Sequence, residues 1–187
     1  MSKRALVLVY PKSDEGEVCV PYSVLKRGGV DCKLAGPSTD PVYCSVGIRI
    51  IPELPLSEAI KQGPYDVVVL PGGRWGWQSL STDKHVIALM REQEKSGRCL
   101  AAICTSTIAM KMHGIMYGRR LTSYPSLEDV MRRDACYIYK HDDVVVDRNL
   151  ITSSGQITTF AWAIKVLEYI TDEETAARVA QESLLPY

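Results

Sequence analysis

The chain has 187 residues, 46% of them hydrophobic, and its 22 lysines and arginines balance its 22 aspartates and glutamates. This length and composition predict one domain, residues 1–187, with a sizeable core. The scattered, balanced charge gives no strong nucleic-acid signal, and no apolar run approaches the roughly 20 residues of a membrane span. The N-terminus enters a strand pattern directly instead of a cleavable signal, which predicts a cytoplasmic protein and leaves a nuclear or mitochondrial location open.

The first part of the chain alternates strand and helix patterns. Apolar runs between turn residues indicate buried strands, and apolar residues at helical spacing indicate helices. Gly28 and Gly29 end the first predicted helix, as a C-cap would. In chain order the predicted elements are a strand at 4–10, a helix at 18–27, a strand at 30–35, a hairpin arm at 42–51, a short helix at 56–62 and a buried strand at 65–70.

The second part continues the alternation. Asp83 is a predicted N-cap, and Ser126 with Asp129 forms a predicted capping box. The last predicted helix has a broad apolar set, including Phe160 and Trp162, which favours a helix covered by the sheet and a core role for Trp162. In chain order these elements are a helix from 83 to 95, a strand at 99–104, a helix-like stretch at 106–113, strands at 137–139, 144–146 and 150–153, and a helix at 158–169. Such alternation predicts a three-layer α/β/α sandwich with a mostly parallel central sheet.

Six cysteines are present, and none has the Cys-x-x-Cys spacing of zinc or thioredoxin sites. Because a reducing compartment is expected, we predict free thiols. Cys44 is a packed residue or a surface thiol open to modification. Four further cysteines are predicted to lie in the core: Cys19, Cys32, Cys99 and Cys136.

Cys104 stands where an apolar strand meets a helix-like stretch. A thiol there is a candidate nucleophile, because the free amides and dipole of a helix N-terminus stabilise the thiolate and lower the pKa of the thiol. A second corner, Pro71 to Gly73, follows the strand at 65–70. Since ligands bind at the carboxyl ends of parallel strands, both corners are expected to share one crevice. The alternative is that Cys104 is a small buried hydrophobe.

Several motifs occur together, in one order and spacing. They are KRALVLVY at 3–10, DEGEV at 14–18, GPYDVVVLPGG at 63–73, AAIC at 101–104, LTSYPS at 121–126 and NLITSSG at 149–155. With these motifs the chain resembles, along nearly its whole length, the DJ-1 branch of the ThiJ/PfpI superfamily, the parkinsonism-associated deglycases. The resemblance implies a flavodoxin-like fold and a homodimer.

The resemblance also implies a site and a chemistry. Cys104 matches the family's reactive, oxidation-sensitive cysteine and Glu17 its neighbouring glutamic acid, while Gly72, Gly73, Thr105 and Tyr124 match positions that bind substrate or a developing oxyanion. The implied partners are small reactive carbonyl compounds such as methylglyoxal, converted to hydroxy acids without a metal or other cofactor. A carboxyl group beside a thiolate in a dry pocket should have a raised pKa and remain protonated. The alternative for Glu17 is a solvated acid at a helix start.

The chain departs from the family pattern around the site. Thr105 to Ile108 replaces an Ala-Gly-Pro-Thr turn, residues 154–158 replace Arg-Gly-Pro-Gly-Thr, Tyr124 replaces a histidine and Val46 replaces an arginine. Trp75 and Trp77 either line the pocket mouth or pack the loop after Gly73.

Two other functions remain open. One is a non-enzymatic redox sensor or chaperone that responds to oxidation of Cys104. The other, less favoured, is a cysteine hydrolase of the protease or amidotransferase type, because Thr105 stands where a protease has histidine and only His141 is left as a partner.

Overall fold

The predicted buried runs form strands, as expected from their β-branched and apolar residues. A computed structural model describes residues 2–185. In chain order its strands are β1 (Arg4–Leu8), β2 (Asp31–Gly36), β3 (Val42–Tyr43), β4 (Arg49–Ile50), β5 (Leu54–Pro55), β6 (Val67–Leu70), β7 (Cys99–Ile103), β8 (Arg120–Leu121), β9 (Ile138–Tyr139), β10 (Val144–Asp147) and β11 (Leu150–Ser153).

Seven of these strands form the central sheet, in the order β10, β11, β7, β6, β1, β2, β5. Every neighbouring pair is parallel except β10 with β11. The chain places β2 on one side of β1 and β6 on the other. The carboxyl ends of β1 and β6 therefore border a switch-point crevice, where open α/β sheets bind ligands.

Helices cover both faces of the sheet. In chain order they are α1 (Glu15–Arg27), α2 (Leu56–Lys61), α3 (Gly76–Thr82), α4 (Lys84–Ser96), α5 (Thr107–Met112), α6 (Glu128–Arg132), α7 (Thr159–Ile170) and α8 (Glu173–Glu182). One apolar core joins the sheet to α1, α7 and α8, and a second joins it to α2, α3, α4 and α5. The flavodoxin-like α/β/α sandwich is therefore confirmed.

Two side chains show how the sequence sets these elements. Asp83 accepts a hydrogen bond from the backbone N–H of His85 and caps α4, as predicted. Trp162 is fully buried on α7 and donates its indole N–H to the carbonyl of Ile151 at 3.2 Å, which confirms its core role.

Several local predictions are wrong. Ser126 caps no helix: it lies in a 3₁₀ turn that Pro125 begins, and α6 starts at Glu128 without a side-chain cap. The hairpin arm predicted at 42–51 is instead a whole short hairpin, with its turn at Gly47, where φ is +101°. Phe160 is 45% exposed because it lies on the outward face of α7.

The cysteines also differ from one another in burial. Cys19 is exposed, contrary to prediction, because the buried face of α1 carries its neighbours at 17, 18, 21, 24 and 25. Cys136 is only half-buried, whereas Cys32 and Cys99 are buried as predicted. Cys44 is fully buried, which fits the packed alternative.

Within residues 2–185, we find no helix with the length and apolar character needed to cross a bilayer.

Candidate active site

The corner after β7 holds Cys104 in a strained conformation. Cys104 opens a 3₁₀ turn, Cys104–Ser106, and has a φ of +59°, in the left-handed region that L-residues rarely adopt. The hydroxyl of Thr107 donates to the Cys104 carbonyl at 3.0 Å, inside the same turn. The turn places Cys104 at the carboxyl end of β7.

Two further hydroxyls join this corner to the corner after β6. Thr105 Oγ1 donates to the carbonyl of Gly73 at 2.7 Å, and Ser106 Oγ lies 2.9 Å from the carbonyl of Leu70. The hydroxyls of Thr105 and Ser106 therefore add side-chain hydrogen bonds to the backbone of the neighbouring corner. These bonds hold the two corners together across the crevice.

Gly72 and Gly73 have no side chains, and this leaves room for the neighbouring atoms of Glu17, Cys104 and Lys12. The Gly72 N–H donates to Glu17 Oε2 at 2.7 Å. A Cβ on Gly72 would lie 2.7 Å from the Cys104 Cβ and 2.8 Å from Glu17 Oε2, too close for either atom. Gly73 has a φ of +119°, and a Cβ there would overlap the carbonyl of Lys12. No other residue type fits at these two positions without a shift of the backbone.

Glu17 is fully buried, so the solvated alternative is wrong. Burial, and then the negative charge of Asp14, raise the pKa of Glu17 to about 8, against the opposing effect of the Gly72 N–H and the Cys104 thiol. Its Oε1 atom is buried with no partner that meets hydrogen-bond geometry within residues 2–185. At neutral pH the carboxyl group is therefore mostly protonated and can act as a hydrogen-bond donor beside Cys104.

Cys104 is nearly buried, with 8% of the residue exposed. Burial, and then the charge of Glu17, raise the pKa of Cys104 to about 12, although the backbone N–H groups of Gly73 and Thr105 favour the thiolate. The prediction that the corner lowers this pKa is wrong, because desolvation outweighs the amides. The charge of Glu17 raises the pKa of Cys104 only while Glu17 is ionised, so this effect is largely absent below pH 8.

Tyr124 lies at the edge of the site. Its backbone N–H donates to the Cys104 carbonyl at 3.4 Å, and its half-exposed ring adjoins Gly155. Five predicted site residues thus meet where the two corners adjoin, and Tyr124 lies at their edge. Trp75 is 52% exposed on the loop before α3, and the guanidinium of Arg74 lies over its ring.

Sequence reasoning missed two residues beside Glu17. Asp14 caps α1: its Oδ1 accepts from the N–H groups of Gly16 at 3.0 Å and Glu17 at 3.2 Å. Gln156, from the loop before α7, donates its side-chain amide to Asp14 Oδ2. An aspartate directly before a helix start is a recognisable N-cap signal. The contact between Gln156 and Asp14 joins residues 142 positions apart, and no local sequence pattern indicates it.

All three histidines are engaged away from the thiol. His113 Nε2 lies 2.7 Å from the carbonyl of Ser81. His85 pairs with Asp83, and His141 pairs with Glu128 on an exposed segment. None of these contacts directs an imidazole at Cys104, which disfavours the hydrolase alternative.

A thiol at a strand-to-helix corner, with a buried carboxyl group beside it, defines a cysteine-centred protein of the flavodoxin-like class. A family model described as "DJ-1/PfpI family" matches residues 3–169. The chain belongs to the DJ-1/PfpI family.

Named relatives and one solved structure support this assignment. The chain is 39% identical to the Parkinson disease protein 7 homolog of Danio rerio, over 98% of this chain and 97% of that protein. It is 36% identical to the glutathione-independent glyoxalase DJR-1.2 of Caenorhabditis elegans, over 92% of this chain and 91% of that protein. The crystal structure of Drosophila melanogaster DJ-1beta superposes with a TM-score of 0.96, at 37% identity and full coverage of both chains.

Proposed function

We propose that this protein is a cysteine-dependent glyoxalase that converts α-oxoaldehydes such as methylglyoxal to hydroxy acids without a cofactor. The observation that carries the proposal is the pairing of Cys104 with Glu17, a buried acid whose pKa of about 8 keeps it mostly protonated at neutral pH. The name of the Caenorhabditis elegans relative supports the same chemistry.

The reaction needs one nucleophile and one group that moves protons. The sulfur of Cys104 adds to the aldehyde carbon and releases the thiol proton to solvent, while Glu17 gives its own proton to the aldehyde oxygen, which forms a hemithioacetal and leaves Glu17 as a carboxylate. Glu17, now a carboxylate, removes the hydrogen from that carbon, and the electron pair moves through an enediol toward the former ketone. Glu17 then returns this proton to the second carbon while the hydroxyl proton of the first carbon moves to the former ketone oxygen, which leaves a thioester. Water hydrolyses the thioester to the hydroxy acid and the free thiol, and the proton released by the new acid restores protonated Glu17. The aldehyde carbon is oxidised and the ketone carbon is reduced, so no external redox partner is required.

The backbone around the sulfur fits this scheme. The N–H groups of Gly73 and Thr105 face the Cys104 sulfur and favour its negative charge. Donors fixed in this way also stabilise negative charge that develops on a substrate oxygen next to the sulfur. In the proposed scheme Tyr124 borders the entrance to the site. Deglycase activity on early glycation adducts would use the same hemithioacetal step.

Proton NMR of methylglyoxal incubated with the purified reduced protein tests the proposal. We expect lactate to form without glutathione or added metal, and to be lost in Cys104→Ser and in Glu17→Gln. Turnover retained in Glu17→Gln would contradict the proton-transfer scheme. Absence of lactate in the wild type would refute the glyoxalase proposal.

A redox sensor is the second candidate, and one observation favours it. Cys104, which is 8% exposed, lies beside the buried carboxyl group of Glu17, one oxygen of which has no hydrogen-bond partner within residues 2–185. A protonated Glu17 there would donate a hydrogen bond to a sulfinate and hold it. Mass spectrometry after peroxide treatment distinguishes the two functions, because oxidation of Cys104 should survive in Glu17→Gln whereas turnover should not.

We further propose that the protein is a homodimer. Exposed apolar side chains lie on two segments that contact the first turn of α1: Val46 and Ile48, whose N–H groups donate to Glu15, and Ile157, which follows Gln156. Exposed apolar groups clustered in this way are typical of an interaction surface. All six cysteines are free thiols, which supports the proposed reducing, cytoplasmic setting.

A further inference from the structure

The N-cap of α1 and the loop before α7 meet beside the candidate active site. Gln156 is exposed, yet its amide reaches Asp14, which is only 6% exposed. The same Asp14 carboxylate binds two N–H groups at the start of α1, one of them from Glu17. Both of its oxygens are therefore held, one by the helix and one by the loop.

We infer that Gln156 is a positioning residue: its amide holds the Asp14 carboxylate beside Glu17 and thereby keeps Glu17 protonated for proton transfer, a role that rests on the proposed function. A fixed carboxylate favours the neutral form of a neighbouring acid, because two negative charges repel in a site that excludes water. Gln156 supplies the donor that retains Asp14, as an ionised acceptor, at this place.

The other groups around Glu17 do not replace this charge. On α1, Glu15 directs its carboxylate toward the N–H groups of Val46 and Ile48. The β6 corner contacts Glu17 through Gly72, which is uncharged, and the β7 corner contributes the thiol of Cys104. Among the charged groups, Asp14 has the largest effect on the pKa of Glu17.

The loss of the Gln156 amide should change the protonation of Glu17 without unfolding the protein. In Gln156→Met, which has a similar length and no amide, Asp14 Oδ2 loses its donor while Oδ1 stays bound to α1, so water reaches the carboxylate and screens its charge. Asp14→Asn keeps a good N-cap but removes the charge. Gln62→Met is the matched control, because Gln62 is an exposed glutamine at the C-cap of α2, on the opposite face of the sheet.

The experiment follows the side-chain carboxyl signal of Glu17 through a pH titration of ¹³C-glutamate-labelled full-length protein. The signal is assigned by its absence in Glu17→Gln, and thermal unfolding verifies that each variant is folded. We expect the midpoint, about 8 in the wild type, to fall by about half a pH unit in Gln156→Met and by about one unit in Asp14→Asn. The double variant should titrate like Asp14→Asn alone, since Gln156 acts only through that charge.

The proposed function is tested separately from this inference. If the wild type turns over methylglyoxal, the alkaline limb of its kcat/KM profile should move down with the Glu17 midpoint in Gln156→Met and stay in place in Gln62→Met. If it does not, the proposed function fails, while a lower midpoint in Gln156→Met still supports the positioning of Asp14. An unchanged midpoint in Gln156→Met, with or without turnover, would overturn the inference.

Discussion

Replacement of Glu17 by glutamine should make the stability of the protein less dependent on pH. Because the pKa of Glu17 is raised from 4.5 to about 8 on folding, the folded chain retains a proton that the unfolded chain has already released above pH 4.5. Stability therefore falls as pH rises through this window and levels off above about pH 8. Between pH 6 and pH 8, these two pKa values give a loss of about 2 kcal/mol in the free energy of unfolding.

Urea unfolding at pH 6, 7 and 8, followed by tryptophan fluorescence, measures this loss. In Glu17→Gln the amide oxygen can still accept the Gly72 N–H, but the side chain has no proton to release. We expect the variant to lose about 2 kcal/mol less than the wild type over the same range. Cys104→Ser should retain most of the wild-type slope, because burial is the main cause of the raised pKa of Glu17. Parallel pH profiles for the wild type and Glu17→Gln would refute the assignment of a buried neutral acid.

Three further changes test other parts of the structure. Gly72→Ala should lower the free energy of unfolding by about 1–3 kcal/mol, since its Cβ would overlap Cys104 and Glu17. The comparison is Gly97→Ala, because Gly97 has a left-handed φ but open space where a Cβ would lie. If Gly72→Ala is as stable as Gly97→Ala or more stable, the crowding at Gly72 is contradicted. At pH 9, iodoacetamide should alkylate Cys104 about tenfold faster in Glu17→Gln than in the wild type, because the negative charge that raises the pKa of the thiol is gone. Equal rates would show that the charge of Glu17 does not affect the pKa of Cys104. Val46→Glu places a charge on an 80% exposed apolar residue and should convert the proposed dimer to a folded monomer in sedimentation velocity; a dimer that persists would exclude this surface.

The strands and long helices could be predicted because their signals are local. Apolar runs identified β1, β6 and β7, and Asp83 marked the start of α4. The capping box at Ser126 was wrong because Pro125 imposes a different turn on the same residues. Cys19 was misplaced because residue type alone does not tell which helix face is covered.

The candidate site was less predictable than the fold. The two corners could be located from their glycines and from Cys104, but the sign of the effect on the thiol pKa depends on how completely water is excluded there. The contact between Gln156 and Asp14 joins residues 142 positions apart and follows only from the packing of the loop against α1. Local patterns thus identify the reacting groups, and tertiary packing sets their protonation.

The backbone conformation at Cys104 is stabilised by hydroxyl groups of the next three residues, whereas the chemistry is expected from the sulfur of Cys104. Thr105, Ser106 and Thr107 hold the backbone through hydrogen bonds that do not involve the sulfur of Cys104. The backbone conformation of the corner is therefore held by these three hydroxyls and not by the side chain at position 104. Serine or aspartate at position 104 should adopt the same strained turn, so this scaffold offers a starting point for exchanging one nucleophile for another by design or by evolution.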